Sequence, residues 1–167
     1  MIHEEIKPLS FDNQEKIIEL IYLSLKNNDD LHIAGLLPTK QNAVNFFNIE
    51  IIPILMDESP ILGAFNNDRL LGFSCCSLQI NEFYQLKNKI ATGVITIIDP
   101  DFRRLGLGSK LRIEIGKLLS SIGVSNFIFE IKHDNEASLN NAQKIANELE
   151  AKSDLISFKF QGDTNVF

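Results

Sequence analysis

Apolar positions along the 167 residues change their period several times, and each change marks an element. Residues 2–9 read as a short first strand. Ser10 or Asp12 is then placed to cap a helix in which Ile17, Ile18, Ile21, Tyr22 and Leu25 recur at helical spacing, closed by the polar run 26–30. Residues 39–55 form a second helical region, which Pro53 is expected to break. Ser59-Pro60 opens a turn. The runs 61–65 and 70–78 flank Asn66-Asn67-Asp68, residues that tolerate left-handed backbone, so a hairpin is predicted. Residues 81–89 are polar and read as a loop. A β-branched run over 91–98 predicts a strand, ended by Pro100. Apolar residues at 107, 111, 115, 118, 119 and 122 predict a helix over 107–121, stopped by Gly123. A strand over 126–131, a helix over 136–149 and a last strand over 155–160 complete the chain.

Strands close together in sequence favour antiparallel pairing, and strands separated by a helix favour a parallel crossover. The expected architecture is α/β of the mixed α+β kind: a central, mostly antiparallel sheet with helices on both faces. No repeat, linker or low-complexity tract appears, so one domain over 1–167 is expected.

Composition narrows the function. Apolar residues make up 44% and charged residues 23%, enough for an ordinary globular core. The net charge of −6 argues against a nucleic-acid surface. No run approaches a membrane span, and the start, MIHEEIKPLS, lacks the basic and apolar regions of a signal peptide, so a cytoplasmic protein is expected. Cys75 and Cys76 are adjacent, a spacing that suits neither a disulfide framework nor a zinc site; they read as small buried residues on opposite faces of a strand. No metal is expected. Positive charge collects locally, with Arg103, Arg104, Lys110 and Arg112 against Asp101 alone, which suggests a small anionic ligand.

That cluster lies in VITIIDPDFRRLGLGSKL, residues 94–111, where a strand runs through a glycine-bearing loop into a helix. The first turn of a helix presents backbone N–H groups without intrahelical partners, and with the macrodipole they favour an anion. Gly106 and Gly108 allow close approach of a phosphate, Arg103 and Arg104 add charge, and Ser109 adds a hydroxyl. Two other phosphate loops are excluded. No glycine stands five residues before Gly108, as a P-loop requires, and Leu111 takes the third glycine position of a dinucleotide fingerprint.

The hydrophobic strand, Asp99-Pro100-Asp101-Phe102 and Arg103-x-x-Gly106-x-Gly108 together resemble the acetyl-CoA motif of the GNAT N-acetyltransferase superfamily. The resemblance implies acetyl-CoA as cosubstrate and a splayed strand pair that holds it. It implies that backbone N–H groups of Leu105, Gly106, Leu107, Gly108 and Ser109 hold the pyrophosphate beside Arg103 and Arg104. Ile98 would pair its backbone with the pantetheine arm, and an N–H near Thr96 or Ile97 would polarise the thioester carbonyl. In that family the strand 91–98 carries a bulge and parts from the strand 127–131. Asn135-Glu136-Ala137-Ser138 is similar to the family's N-x-x-[AS], which places Asn135 against the pantetheine and Ser138 at the start of the flanking helix.

Two departures stand out. Many members carry a tyrosine, the acid for the departing thiolate, where this chain has Ala142, and the usual Gly-Phe after that helix is missing. Ser138 or a water is left as proton donor. Glu130 is the candidate base for the ammonium substrate, since the position carrying Glu in other members corresponds to Thr92; His133 is a second titratable group nearby. Asp99 reads as a turn former. The acceptor is expected to be a small-molecule amine or amino sugar. Protein N-termini or lysines are the alternative, as are a non-catalytic acetyl-CoA sensor and a structural domain with a vestigial loop. Acidic residues Asp29 and Asp30, with His32, would suit a cationic acceptor. Homodimers are common in the family; the sequence itself does not speak to assembly.

Overall fold

The structure, a computed structural model, describes residues 4–27, 36–80, 89–128 and 136–150. The chain divides into two compact units, Met1–Glu130 and Ile131–Phe167.

The first unit opens with β1, Glu5–Pro8. Ser10 then caps a 3-10 turn, Phe11–Asn13, reciprocally: its hydroxyl accepts from the Asp12 amide at 3.3 Å, and its own amide donates to the Asn13 side chain at 3.0 Å. The turn feeds α1, Gln14–Lys26, whose buried stripe is Ile17, Leu20, Ile21, Ser24 and Leu25. Thr39 caps α2, Lys40–Phe46, by accepting from the Asn42 amide at 3.1 Å. The expected break at Pro53 does not occur. The helical path widens into a π turn, Phe47–Ile51, and continues as α3, Ile52–Met56, with Pro53 in its first turn, where a missing N–H is tolerated.

The hairpin forms as expected, from β2, Ile61–Asn66, and β3, Arg69–Ile80, around Asn67 and Asp68; Asn67 takes a φ of 53°. β4, Lys89–Ile98, leads through a 3-10 turn, Pro100–Phe102, into α4, Leu107–Ser121, whose limits coincide with those read from the periodicity. β5, Val124–Phe127, begins two residues earlier than expected, directly after Gly123 at φ 79°. The second unit contains α5, Glu136–Glu148. The expected strand over 155–160, most of the polar loop over 81–89 and the end of the strand over 126–131 lie outside the described residues.

The sheet has the order β1-β2-β3-β4-β5. The first four strands are antiparallel, and β5 runs parallel to β4 because α4 carries the chain back between them. Each face holds its own apolar cluster. On one, Ile17, Ile21, Phe47 and Ile51 pack on Phe65, Phe73, Cys75 and Ile97. On the other, Leu107, Leu111, Ile115 and Leu119 of α4 pack on Leu62, Leu71, Cys76 and Ala91. Helices therefore cover both faces, and the phenylalanines at 47, 65 and 73 are core filler. Cys75 and Cys76 fall in opposite clusters, as alternation on a strand requires. Burial pushes the Cys76 thiol up to about 12 and the Cys75 thiol higher still.

Candidate active site

The site lies along the end of β4. Among the described residues, β5 accompanies β4 along Lys89, Ile90 and Ala91, which face Val124, Asn126 and Phe127; the Ile128 amide then donates to the Ala91 carbonyl at 2.8 Å. Beyond Ala91, no strand among the described residues pairs with β4 on that side. β4 also bulges. On β3 the step from Cys75 to Ser77 spans two residues, and the facing step from Ile95 to Thr92 spans three, so the extra residue is on β4.

The phase of the backbone along this edge is set at its end. The Asp99 amide donates to Leu71 of β3 at 2.9 Å. Backbone groups alternate sides along a strand, so Ile97 also directs its N–H and C=O at β3. Thr96 and Ile98 direct theirs away from β3. Of the two amides expected near the thioester, the Thr96 N–H is therefore the one turned away from β3.

The loop that follows is held by buried polar contacts. Asp99, only 2% exposed, accepts from the Asp101 amide at 3.0 Å and pairs with Arg69 at 2.7 Å, and Arg69 lies over the Phe102 ring at 5.0 Å. Asp99 is thus a turn former, as its place before Pro100 suggested. The Arg103 guanidinium turns inward. Its Nε and Nη2 both donate to the Ile98 carbonyl at 3.1 Å, and Nη2 reaches Ser24 Oγ at 3.3 Å. Arg104 stands exposed on left-handed backbone, φ 60°. Leu105 is exposed, and Gly106 caps α4 at a φ of 81°.

Gly106 is where the left-handed turn into α4 is made. Gly108 serves differently: it sits on the β4 edge, where a Cβ would lie 3.7 Å from Thr96 Cγ2 and 3.6 Å from Ile98 Cγ1. The first turn of α4, Leu107 to Ser109, is laid over the end of β4. Helix geometry gives the Leu107 and Gly108 amides no intrahelical acceptor, and the dipole makes this end positive.

The basic cluster is dispersed by these contacts. Lys110 pairs with Glu4 at 2.8 Å. Arg112 donates through Nε to Thr96 Oγ1 at 2.9 Å, and Thr96 Oγ1 is also hydrogen-bonded to the buried Ser74 hydroxyl at 2.8 Å. Burial holds the Arg112 pKa below its usual value.

The structure therefore brings Thr96, Ile98 and residues 103–109 to one end of β4, with Ile97 turned to β3. Glu130, His133 and Asn135 lie outside the described residues, as do Asp29, Asp30 and His32. Ser138 and Ala142 belong to α5 in the second unit. The sequence reading missed Ser24, Arg69 and Ser74. Ser24 did leave a signal, a polar residue on the buried stripe of α1 beside Ile17, Leu20 and Ile21.

No protein-family model matches the sequence, and no curated protein matches it significantly. Solved structures do. A transcriptional regulator from Bacillus halodurans C-125 superposes with a TM-score of 0.67 at 17% identity, covering 96% of this chain and all (100%) of that one. A putative acetyltransferase from Acinetobacter baylyi ADP1 gives 0.66 at 23% identity, covering 87% of this chain and 78% of that one. AAC(6')-Iy, solved with the bisubstrate analog CoA-S-monomethyl-acetylneamine, gives 0.57 at 14% identity over 96% of this chain and 99% of that one. The chain has the fold of the GNAT N-acetyltransferases. On that fold, β4 ends in an Arg-x-x-Gly-x-Gly loop.

Proposed function

We propose that the chain is an acetyl-CoA-dependent N-acetyltransferase that acetylates a primary amine by direct attack on the thioester. One observation carries the reading: the end of β4, with the Thr96 and Ile98 amides turned away from β3, runs into a glycine-bearing helix start. The fold it shares with acetyltransferases, one of them solved with a CoA analog, supports the same reading.

The residues fit such a ligand. Gly108 leaves room at the helix start, the Leu107 and Gly108 amides lack helical acceptors, and exposed Arg104 adds charge. Leu105, Gly106 and Ser109 complete the proposed pyrophosphate cradle. Thr96 and Ile98 offer N–H groups to the pantetheine side; the Ile98 carbonyl is already taken by Arg103. Asn135 is proposed to contact the same arm.

Acetyl-CoA, when bound, supplies the acetyl group as a thioester. The Thr96 N–H would donate to the carbonyl oxygen as negative charge develops there. Glu130 is proposed to accept the proton that the ammonium substrate must lose, directly or through water. As the new N–C bond forms and the C–S bond breaks, the sulfur takes a proton, for which Ser138 is the proposed source. Ala142 supplies none, having no titratable group.

The proposed acceptor is a small amine or amino sugar; the bisubstrate analog CoA-S-monomethyl-acetylneamine, solved with AAC(6')-Iy, supports that choice over a protein N-terminus or lysine. Ala142 favours one competing reading, a non-catalytic acetyl-CoA sensor. Thermal unfolding with acetyl-CoA, CoA and ATP, followed by thiol release against an amine panel, separates them. An enzyme is stabilised by the first two ligands, loses that effect in Gly108→Trp, and releases thiol with some amine. A sensor binds without release. No stabilisation by either CoA species would remove the cofactor assignment. Glu130→Gln is expected to lower kcat at neutral pH by about 100-fold with acetyl-CoA binding intact. An unchanged kcat would take Glu130 out of the mechanism.

A further inference from the structure

Arg103 stands at the head of the loop that the proposed cofactor would occupy, yet its guanidinium is directed into the protein. Two of its nitrogens converge on the last carbonyl of β4, Ile98, each at 3.1 Å, and one of them also reaches Ser24 of α1 at 3.3 Å. Ser24 is 1% exposed, and a buried hydroxyl needs a partner. Ile98 is the residue whose carbonyl turns away from β3 at the end of β4. A planar fork of fixed donors suits this position, because it bridges a strand end and a helix at once in a preset geometry, which the point-like ammonium of a lysine does not reproduce. Arg104, by contrast, is exposed, on left-handed backbone that carries it away from the path of its neighbour.

We infer that Arg103 is a positioning residue, a clamp that locks the loop to the end of β4 and to α1, and that the side-chain charge offered to a bound pyrophosphate comes from Arg104. The inference rests on the cofactor reading above and gives the two arginines different roles. α1 thereby becomes part of the cofactor site at one remove, since the Ser24 hydroxyl sets where the loop sits.

The two roles differ in their salt dependence. A direct ion pair with phosphate weakens as salt rises, and removing it flattens that dependence; removing a buried clamp lowers affinity at every salt concentration alike. The experiment is calorimetric titration of CoA at several salt concentrations into wild type, Arg103→Gln, Arg103→Lys, Arg104→Ala, Ser24→Ala and the Ser24→Ala/Arg103→Gln double variant. Arg103→Gln is expected to weaken CoA by about 10-fold with the salt slope unchanged, and Ser24→Ala by about 3-fold, with no further loss when the two are combined. Arg103→Lys keeps the charge and is expected not to restore affinity, whereas Arg104→Ala flattens the slope. A flattened slope in Arg103→Gln, near wild-type affinity in Arg103→Lys, or additive losses would each overturn the clamp. Urea unfolding of the same variants gives a second cycle that does not need the ligand. Should wild type fail to bind CoA, the cofactor reading falls, and this cycle still decides: coupled losses uphold the clamp and additive losses refute it. If Arg103→Gln does not fold, Arg103→Lys with Ser24→Ala supplies the same cycle.

Discussion

Gly106 carries a φ of 81°, which a residue with a Cβ adopts at a cost of about 1–2 kcal/mol. Nothing lies within 4 Å of the space a Cβ would fill, so the cost is conformational rather than steric. Gly106→Ala is therefore expected to lose roughly 1–2 kcal/mol in urea unfolding, while Gly108→Ala, which has ordinary backbone and room, loses much less. Equal losses would mean that the loop is not held in this conformation. The buried thiols make a pH prediction. Cys76 is raised by burial from 9.0 to about 12, so the folded state favours the neutral thiol. Its contribution is fully present below about pH 9, the unfolded value, and is lost as pH rises towards 12. Replacing Cys76 by Ala should make unfolding free energy less steeply dependent on pH across that window. In the native state at pH 8, neither cysteine should react appreciably with iodoacetamide, as read by mass spectrometry, because the thiolate is the nucleophile.

At the scale of elements, the helices divide into those that propensity and capping define and one that tertiary packing completes. Thr39 ends its loop with a side-chain cap on α2, and Thr39→Ala is expected to cost about 1 kcal/mol. α4 is anchored by Leu107, Leu111, Ile115 and Leu119, one residue per turn on the sheet. Leu111, fully buried at 0% exposure, should cost roughly 2–5 kcal/mol as Leu111→Ala, measured by chemical denaturation. α4 was legible in the sequence because an uninterrupted period and a terminal glycine agree. The segment from α2 through α3 was not: Pro53 reads locally as a breaker, and only the buried Phe47 and Ile51 explain why the chain winds a π turn and continues. The β4 bulge was expected only from the family resemblance and not from composition, since it is a mismatch of step length between two strands and neither strand alone contains it.

At the scale of the molecule, the end of β4, the loop after it and the start of α4 lie side by side. The sequence alone determined the order of the described elements, the hairpin and the α4 limits, because periodicity and turn residues are local properties. The resemblance of Arg103-x-x-Gly106-x-Gly108 to an acetyl-CoA motif added the expected ligand. Tertiary structure decided what those local signals could not. It turned the amides of Thr96 and Ile98, and not that of Ile97, away from β3, because the side each amide faces depends on pairing with that strand. It also sent the four members of one basic cluster in separate directions, with Lys110 on Glu4, Arg112 on Thr96, Arg103 on Ile98 and Ser24, and Arg104 at the surface. Charge can be counted along a chain, but its direction is set by the carbonyls and hydroxyls that distant segments bring within 3.3 Å, and Ser24 stands 79 residues from Arg103.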